Sequence, residues 1–283
     1  MKEVSTQDKY ILDDAVRNID LSYVDQDTKE VKFTTDYVND RWKAEVEVVK
    51  TEKGTENTVK GATFGLFSRD DIVNDKGEVI VKKDEVIEHA LSDKDGKAEF
   101  STDLPLGYAY YVKETAQAPG YTSTDKVEDF KFILTENMQE ISKFSFTYEN
   151  DVTKVQISKV DITGNNVAGA TLTIRDKDGN AVVSWTSTDN PYLFKRIPVG
   201  TYTLHEDEAP DGYEVADDVT FEVKDSGEIQ KVEMVDQKKA TRTDVPKTGD
   251  DADIALLVVI MILSLASMGG CIYLMKATKK KKK

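Results

Sequence analysis

From about residue 44 to residue 238 the chain alternates apolar and polar positions in short runs. Gly, Asp and Asn clusters such as Asp93-Lys94-Asp95-Gly96 and Asp176-Lys177-Asp178-Gly179 separate them. A period of two with turn residues between the runs predicts short antiparallel strands packed as a sandwich. No long segment of helical period appears there. The exception lies at the C-terminus, where Ile254 to Met275 carries no charge over 22 residues. That length as a helix crosses a bilayer core of about 30 Å. Lys276 and the run Lys279 to Lys283 follow it. Lysines directly after an apolar span place the tail in the cytoplasm and the rest of the chain outside.

The alternating part repeats itself. Gly61-Ala62-Thr63-Phe64 recurs as Gly169-Ala170-Thr171-Leu172, and Leu104-Pro105-Leu106-Gly107 as Ile197-Pro198-Val199-Gly200. Ala118-Pro119-Gly120-Tyr121 recurs as Ala209-Pro210-Asp211-Gly212-Tyr213. The repeats divide the chain into domain one, residues 44–150, and domain two, residues 154–238. Residues 239–249 then form a linker, 254–275 the transmembrane helix and 276–283 a basic tail. Thr35 to Asp40 parallels Thr147 to Asp151, so residues 1–43 read as the last strands of a preceding copy whose Asn39 lacks a lysine. The first residues show no apolar stretch of the signal-peptide kind. An exterior protein needs one, and the expectation is a chain truncated at its N-terminus.

Alternation also exposes an anomaly. Residues i, i+2 and i+4 of a strand share a face. Val46 and Val48 share theirs with Lys50, and Val155 and Ile157 with Lys159. Tyr110 and Val112 lead to Glu114, while Tyr202 and Leu204 lead to Glu206. Phe144, Phe146 and Tyr148 lead to Asn150, and Val232 and Met234 to Asp236. Each domain thus aims a Lys, a Glu and an Asn or Asp at its core, where an unpaired charge costs several kcal/mol. Strand ends running out into solvent, or buried ion pairs without chemistry, are the plainer explanations. Six residues at matching places in two repeats point instead to an intramolecular amide. A desolvated lysine favours its neutral, nucleophilic amine. Its target is the carboxamide carbon of Asn150 or the protonated carboxyl of Asp236. A buried Glu114 or Glu206 polarises that carbonyl and shuttles the proton.

Composition narrows the setting. The net charge of −15 repels phosphate backbones, so nucleic acid is not an expected partner. Cys271 is the one cysteine and lies in the apolar span, so disulfides staple nothing outside. No Cys/His cluster suggests a metal and no motif suggests a cofactor. The Asp-rich turns do not complete a calcium loop. No Ser/His/Asp set or phosphate loop supports an enzyme with turnover. Trp42 and Trp185 are candidates for ligand contact or for packing.

Two resemblances emerge from these residues. Val245-Pro246-Lys247-Thr248-Gly249, the apolar span and the lysines resemble, in that order, the LPxTG sorting signal of Gram-positive surface proteins. Val245 stands where that pattern has Leu. The resemblance implies cleavage between Thr248 and Gly249 by a sortase, from a membrane-held precursor, and transfer to an amine of peptidoglycan or of a pilin. Both domains resemble collagen-adhesin B-type domains of prealbumin-like, SpaA type. Domain two, through ISKVD, VAGATLTIRD, YTLHEDEAPDGYEVA and VEMVD, is similar to the fibronectin-binding-protein domain from which the SpyCatcher–SpyTag pair was cut. This implies a Lys159–Asp236 bond assisted by Glu206 and a Lys50–Asn150 bond assisted by Glu114. Domain one has one more residue between Leu104 and Glu114 than domain two has between Ile197 and Glu206. The expected fold is all-β, two tandem prealbumin/Ig-like sandwiches plus the C-terminal helix. The expected function is a wall-anchored stalk. Alternatives are an adhesin module, with a host-matrix ligand on a distal domain, and a terminal or basal pilin; the acceptor lysine motif of shaft pilins is missing.

Overall fold

The alternating runs become sixteen strands. The computed structural model describes residues 1–20, 22, 25–27, 30 and 32–240. In domain one these are β1 (Lys43–Glu52), β2 (Thr63–Ser68), β3 (Ile72–Val73), β4 (Val79–Val81), β5 (Val86–Leu91), β6 (Lys97–Phe100), β7 (Tyr108–Ala116), β8 (Val127–Phe132) and β9 (Ile141–Asn150). Domain two holds β10 (Lys154–Asp161), β11 (Thr171–Arg175), β12 (Ala181–Thr186), β13 (Tyr192–Lys195), β14 (Gly200–Glu208), β15 (Val219–Val223) and β16 (Ile229–Asp236). Each domain pairs a three-stranded with a four-stranded sheet. The orders are β6-β1-β9 with β5-β2-β7-β8, and β13-β10-β16 with β12-β11-β14-β15. The β3–β4 hairpin belongs to domain one alone.

One expectation needs correction. The strands are not all antiparallel: β1 runs parallel to β9, and β10 parallel to β16. Period-two alternation is the same in both directions, so the sequence pattern is blind to the difference. The ladders are long. Lys43 to Glu52 pairs residue by residue with Ile141 to Asn150, and Lys154 to Asp161 with Ile229 to Asp236.

The inward faces supply the cores. Val46, Val48, Phe64, Leu66, Tyr110, Val112, Phe132 and Tyr148 are buried in domain one, and Val155, Ile157, Leu172, Ile174, Leu204 and Met234 in domain two. Trp42 and Trp185 pack against these cores. In the Asp-rich turns the carboxylates are engaged by backbone: Asp93 Oδ1 accepts from the Asp95 and Lys97 amides at 2.8 and 2.9 Å, and Asp176 Oδ1 from Asp178 and Asn180, both at 2.9 Å. These are Asx turns.

The junction between the sandwiches is short and bonded. Thr153 is buried; its amide donates to Gly120 O (3.0 Å) and its hydroxyl to Ile197 O (2.6 Å). The Arg196 amide returns a bond to Thr153 O at 3.0 Å. The Arg196 guanidinium reaches Glu52 Oε2 at 2.6 Å, and Ser123 bonds Asp225 through both amide and hydroxyl. Gly120 has φ +83°, and a Cβ there would lie 2.4 Å from Arg196 O, so both the backbone and the close approach call for glycine. Among the described residues no helix is long and apolar enough to cross a membrane. The expected span, 254–275, lies outside them, as does the pentapeptide Val245–Gly249.

Candidate functional site

Three strands converge on one dry spot in each sandwich. In domain two the first strand, β10, carries Lys159, the last, β16, carries Asp236, and β14 in the facing sheet carries Glu206. In domain one β1, β9 and β7 carry Lys50, Asn150 and Glu114. The parallel register sets the reach. Lys159 stands opposite Met234 and Lys50 opposite Tyr148, two residues short of Asp236 and Asn150 on the same face. A lysine is long enough to cover that diagonal. The glutamates are placed by matching bulges. Phe64 pairs with Glu114 and Thr63 with Ala116, skipping Thr115; Leu172 pairs with Glu206 and Thr171 with Glu208, skipping Asp207. Bulges re-aim a side chain next to a functional position. The extra residue of domain one is absorbed ahead of Tyr110, since Tyr110 and Tyr202 each lie four residues before their glutamate. Both tyrosine hydroxyls tie down the preceding turn, on Pro105 O (2.7 Å) and Pro198 O (2.9 Å).

In domain two the three side chains are at most 1% exposed. The Lys159 ammonium donates to Asp236 Oδ1 and lies 3.0 Å from Glu206 Oε1. Glu206 Oε2 is fixed by the Ala216 amide at 2.6 Å. Burial pushes the Asp236 carboxyl up from the ordinary aspartate range, against the pull of Lys159. That shift favours the protonated form, the one a nucleophile can attack. In domain one burial pushes the Lys50 amine down to about 8, against the fields of Glu114 and Glu149. Burial likewise pushes Glu114 up, against the Asn150 hydrogen bond and the charge of Lys50. Lys50 Nζ donates to Tyr148 O at 3.3 Å. Asn150 Nδ2 donates to both Glu114 oxygens, at 2.9 and 2.7 Å, and to Thr122 O at 2.5 Å. The nitrogen that would leave thus already faces the group that would protonate it.

Four buried side-chain polar atoms lack a hydrogen-bond partner among the described residues: Asn150 Oδ1, Glu206 Oε1, Asp236 Oδ2 and Tyr37 Oη. Three of them belong to these two sites, where Glu206 Oε1 has only its ion-pair contact with Lys159. Orphaned buried oxygens are costly and call for an explanation. A preorganised amine, carboxyl and acyl donor in a buried site can do acyl transfer. Sequence reasoning missed the Thr122 carbonyl and the Ala216 amide, because backbone groups leave no residue-type signal. No group of three His, Cys, Asp or Glu side chains placed to hold a metal ion occurs among the described residues.

Residues 44–146 and 153–238 each match the SpaA prealbumin-like fold domain. The chain belongs to this family. Solved structures are similar in part. The Bacillus anthracis TIE protein is 25% identical, with a TM-score of 0.46 over 83% of this chain and 41% of that one. The chain therefore spans less than half of that protein. A shaft pilin of Lactobacillus rhamnosus GG is 14% identical, with a TM-score of 0.35 over 70% of this chain and 99% of its own. The minor pilin of Streptococcus agalactiae is 14% identical, with a TM-score of 0.32 over 70% and 97%. No curated protein matches. Both SpaA-type domains carry the lysine, the glutamate and the Asn or Asp at corresponding strands.

Proposed function

We propose that this chain is a sortase-anchored surface stalk whose two SpaA-type domains are each closed by an autocatalytic isopeptide bond. The observation that carries the reading is the buried set of lysine, glutamate and Asn or Asp, repeated between the first and last strands of both sandwiches. In domain one the neutral Lys50 amine attacks Asn150 Cγ. The C–Nδ2 bond breaks, Glu114 passes a proton to the leaving nitrogen, and ammonia departs. In domain two Lys159 attacks the Asp236 carboxyl with Glu206 as the shuttle, and water departs. Each event happens once, so the chain is no enzyme with turnover and needs no cofactor. The bonded Thr153 junction supports a stiff connection between the domains. Sortase, a wall or pilin amine, and the membrane before cleavage are the partners this reading assigns.

The test is the intact mass of residues 42–240. It falls below the sequence mass by about 17 Da for ammonia and about 18 Da for water when lysine forms both amides. A mass equal to the sequence mass leaves only ion pairs and overturns the mechanism. Thr248→Ala in a sortase-positive host shifts the protein from the wall fraction to the membrane fraction; unchanged wall attachment overturns the anchoring.

A further inference from the structure

The two sites are held in place differently. The strand that carries each glutamate runs into a loop, residues 117–126 after β7 and 209–218 after β14. The loops are fastened alike at one point: the Thr122 amide donates to Asp151 O at 2.9 Å and the Glu214 amide to Gln237 O at 2.8 Å. Beyond that point they part. In domain two the Ala216 amide donates to Glu206 Oε2, so the loop and the glutamate fix each other within the domain. Thr124 stands at the corresponding place, three residues past Tyr121 as Ala216 is three past Tyr213. Glu114 nevertheless takes its hydrogen bonds from the Asn150 carboxamide and, among the described residues, from no backbone amide.

Domain two supplies the fastening that this loop lacks. Asp225, in the turn between β15 and β16, accepts from the Ser123 amide at 2.8 Å and from the Ser123 hydroxyl at 2.5 Å. Bonds to a carboxylate are the stronger kind. Ser123 directly follows Thr122, whose carbonyl accepts from Asn150 Nδ2 at 2.5 Å. The same turn is tied to the residue after Asn150. Lys154 Nζ donates to Asp151 Oδ1 at 3.0 Å and to Gly227 O at 2.7 Å. A Cβ on Gly227 would lie 2.4 Å from Asp151 Oδ2. The Asn150 carboxamide is thus linked to domain two by two routes, through Thr122-Ser123 and through Asp151. Burial chiefly pushes the Glu114 carboxyl up, and the Asp225 charge adds to that push from across the junction.

We infer that Asp225 is a positioning residue for the reaction in domain one: docking of domain two fixes the Thr122 carbonyl, which holds the Asn150 carboxamide where Lys50 can reach it. A small misplacement of reacting groups costs much rate. Domain one therefore closes its bond at full rate only with domain two folded beside it, whereas domain two closes its own without help. This rests on the bond-forming chemistry proposed for Lys50, Glu114 and Asn150.

The test follows newly made chain, before either bond exists. The full chain is produced by cell-free translation into detergent, and samples are quenched in acid at intervals. Digestion yields a separate branched peptide for each cross-link, Lys50–Asn150 and Lys159–Asp236, and mass spectrometry counts the two. Asp225→Ala is expected to slow the first about tenfold, the order of one hydrogen bond to a charged group, and to leave the second unchanged. Asp225→Asn, which can still accept from the Ser123 amide and donate to its hydroxyl, restores the first. Ser123→Ala slows it in the unsubstituted chain and adds nothing to Asp225→Ala. A Lys50–Asn150 rate that Asp225→Ala changes by less than about twofold overturns the positioning role while both cross-links stand. So does an Asn variant as slow as the Ala variant, or an equal slowing of both cross-links. Absence of both branched peptides from the unsubstituted chain overturns instead the reading on which the role rests.

Discussion

Glu206→Gln separates the covalent bond from the buried charges around it. The substitution keeps the shape of the side chain and leaves the Lys159–Asp236 pair, but it removes the group that moves the proton. The bond would close a loop across a sequence separation of 77 residues. Chain-entropy reasoning assigns such a closure about 4.5 kcal/mol at 25 °C. For a domain of this size each kcal/mol moves the midpoint by about 4–8 °C, so the variant should melt roughly 20–35 °C lower. The assay is intact mass together with calorimetry on residues 42–240, in which the transition of the first domain serves as an internal reference. The variant should keep the water that the parent loses. If it sheds that water, Glu206 is not the shuttle. If it keeps the water yet melts within a few degrees of the parent, the cross-link does not stabilise through the unfolded chain.

Four further outcomes follow from the geometry. Lys50, lowered to about 8, must be neutral and Glu114 protonated for reaction, so the rate of bond formation in refolding domain one should be level at neutral pH and fall above about pH 8; stopped-time mass spectra that show tenfold acceleration per unit up to pH 10 exclude the pairing of roles. In Asn150→Ala the amine stays free and unfolded lysine still binds a proton between pH 8 and about 10.5, so stability should rise across that window by about 3 kcal/mol; a flat denaturation midpoint excludes a desolvated amine. Gly96 has φ +75° and a Cβ there would meet Lys50 O at 2.4 Å, so Gly96→Ala should cost at least about 1–3 kcal/mol in urea unfolding and slow the ammonia loss. Gly120→Ala should loosen the junction, seen as divergent rotational correlation times for the two domains, with each melting point moved by less than a few degrees.

The alternation of apolar and polar residues made the core faces readable, and with them the six polar residues that break the pattern. Lys50, Glu114 and Asn150 stand out because each ends a run whose earlier members, such as Val48, Val112 and Tyr148, are ordinary core. The repeats let domain two vouch for domain one. Direction was not readable, since Lys43–Glu52 has the same period whether Ile141–Asn150 runs with it or against it. Nor was the β3–β4 hairpin, a local addition with no repeat to reveal it. The bulges at Thr115 and Asp207 were hidden because a two-for-one pairing needs both strands in view.

The parallel ladder between first and last strands has a mechanical meaning. The chain enters domain one at Lys43 and leaves at Asn150, at opposite ends of the ladder. Tension therefore slides β1 along β9, and the hydrogen bonds between them resist together in shear rather than parting one after another. With a bond at Lys50 and Asn150 the load would pass from β1 directly into the junction with domain two. Roughly 100 residues of domain one and the 77-residue span of domain two would then lie off the load path. Unravelled, those segments would pay out about 340 and 260 Å of slack at about 3.4 Å per residue. Locked, they would pay out none, and the two ends of each domain would keep their separation under pull.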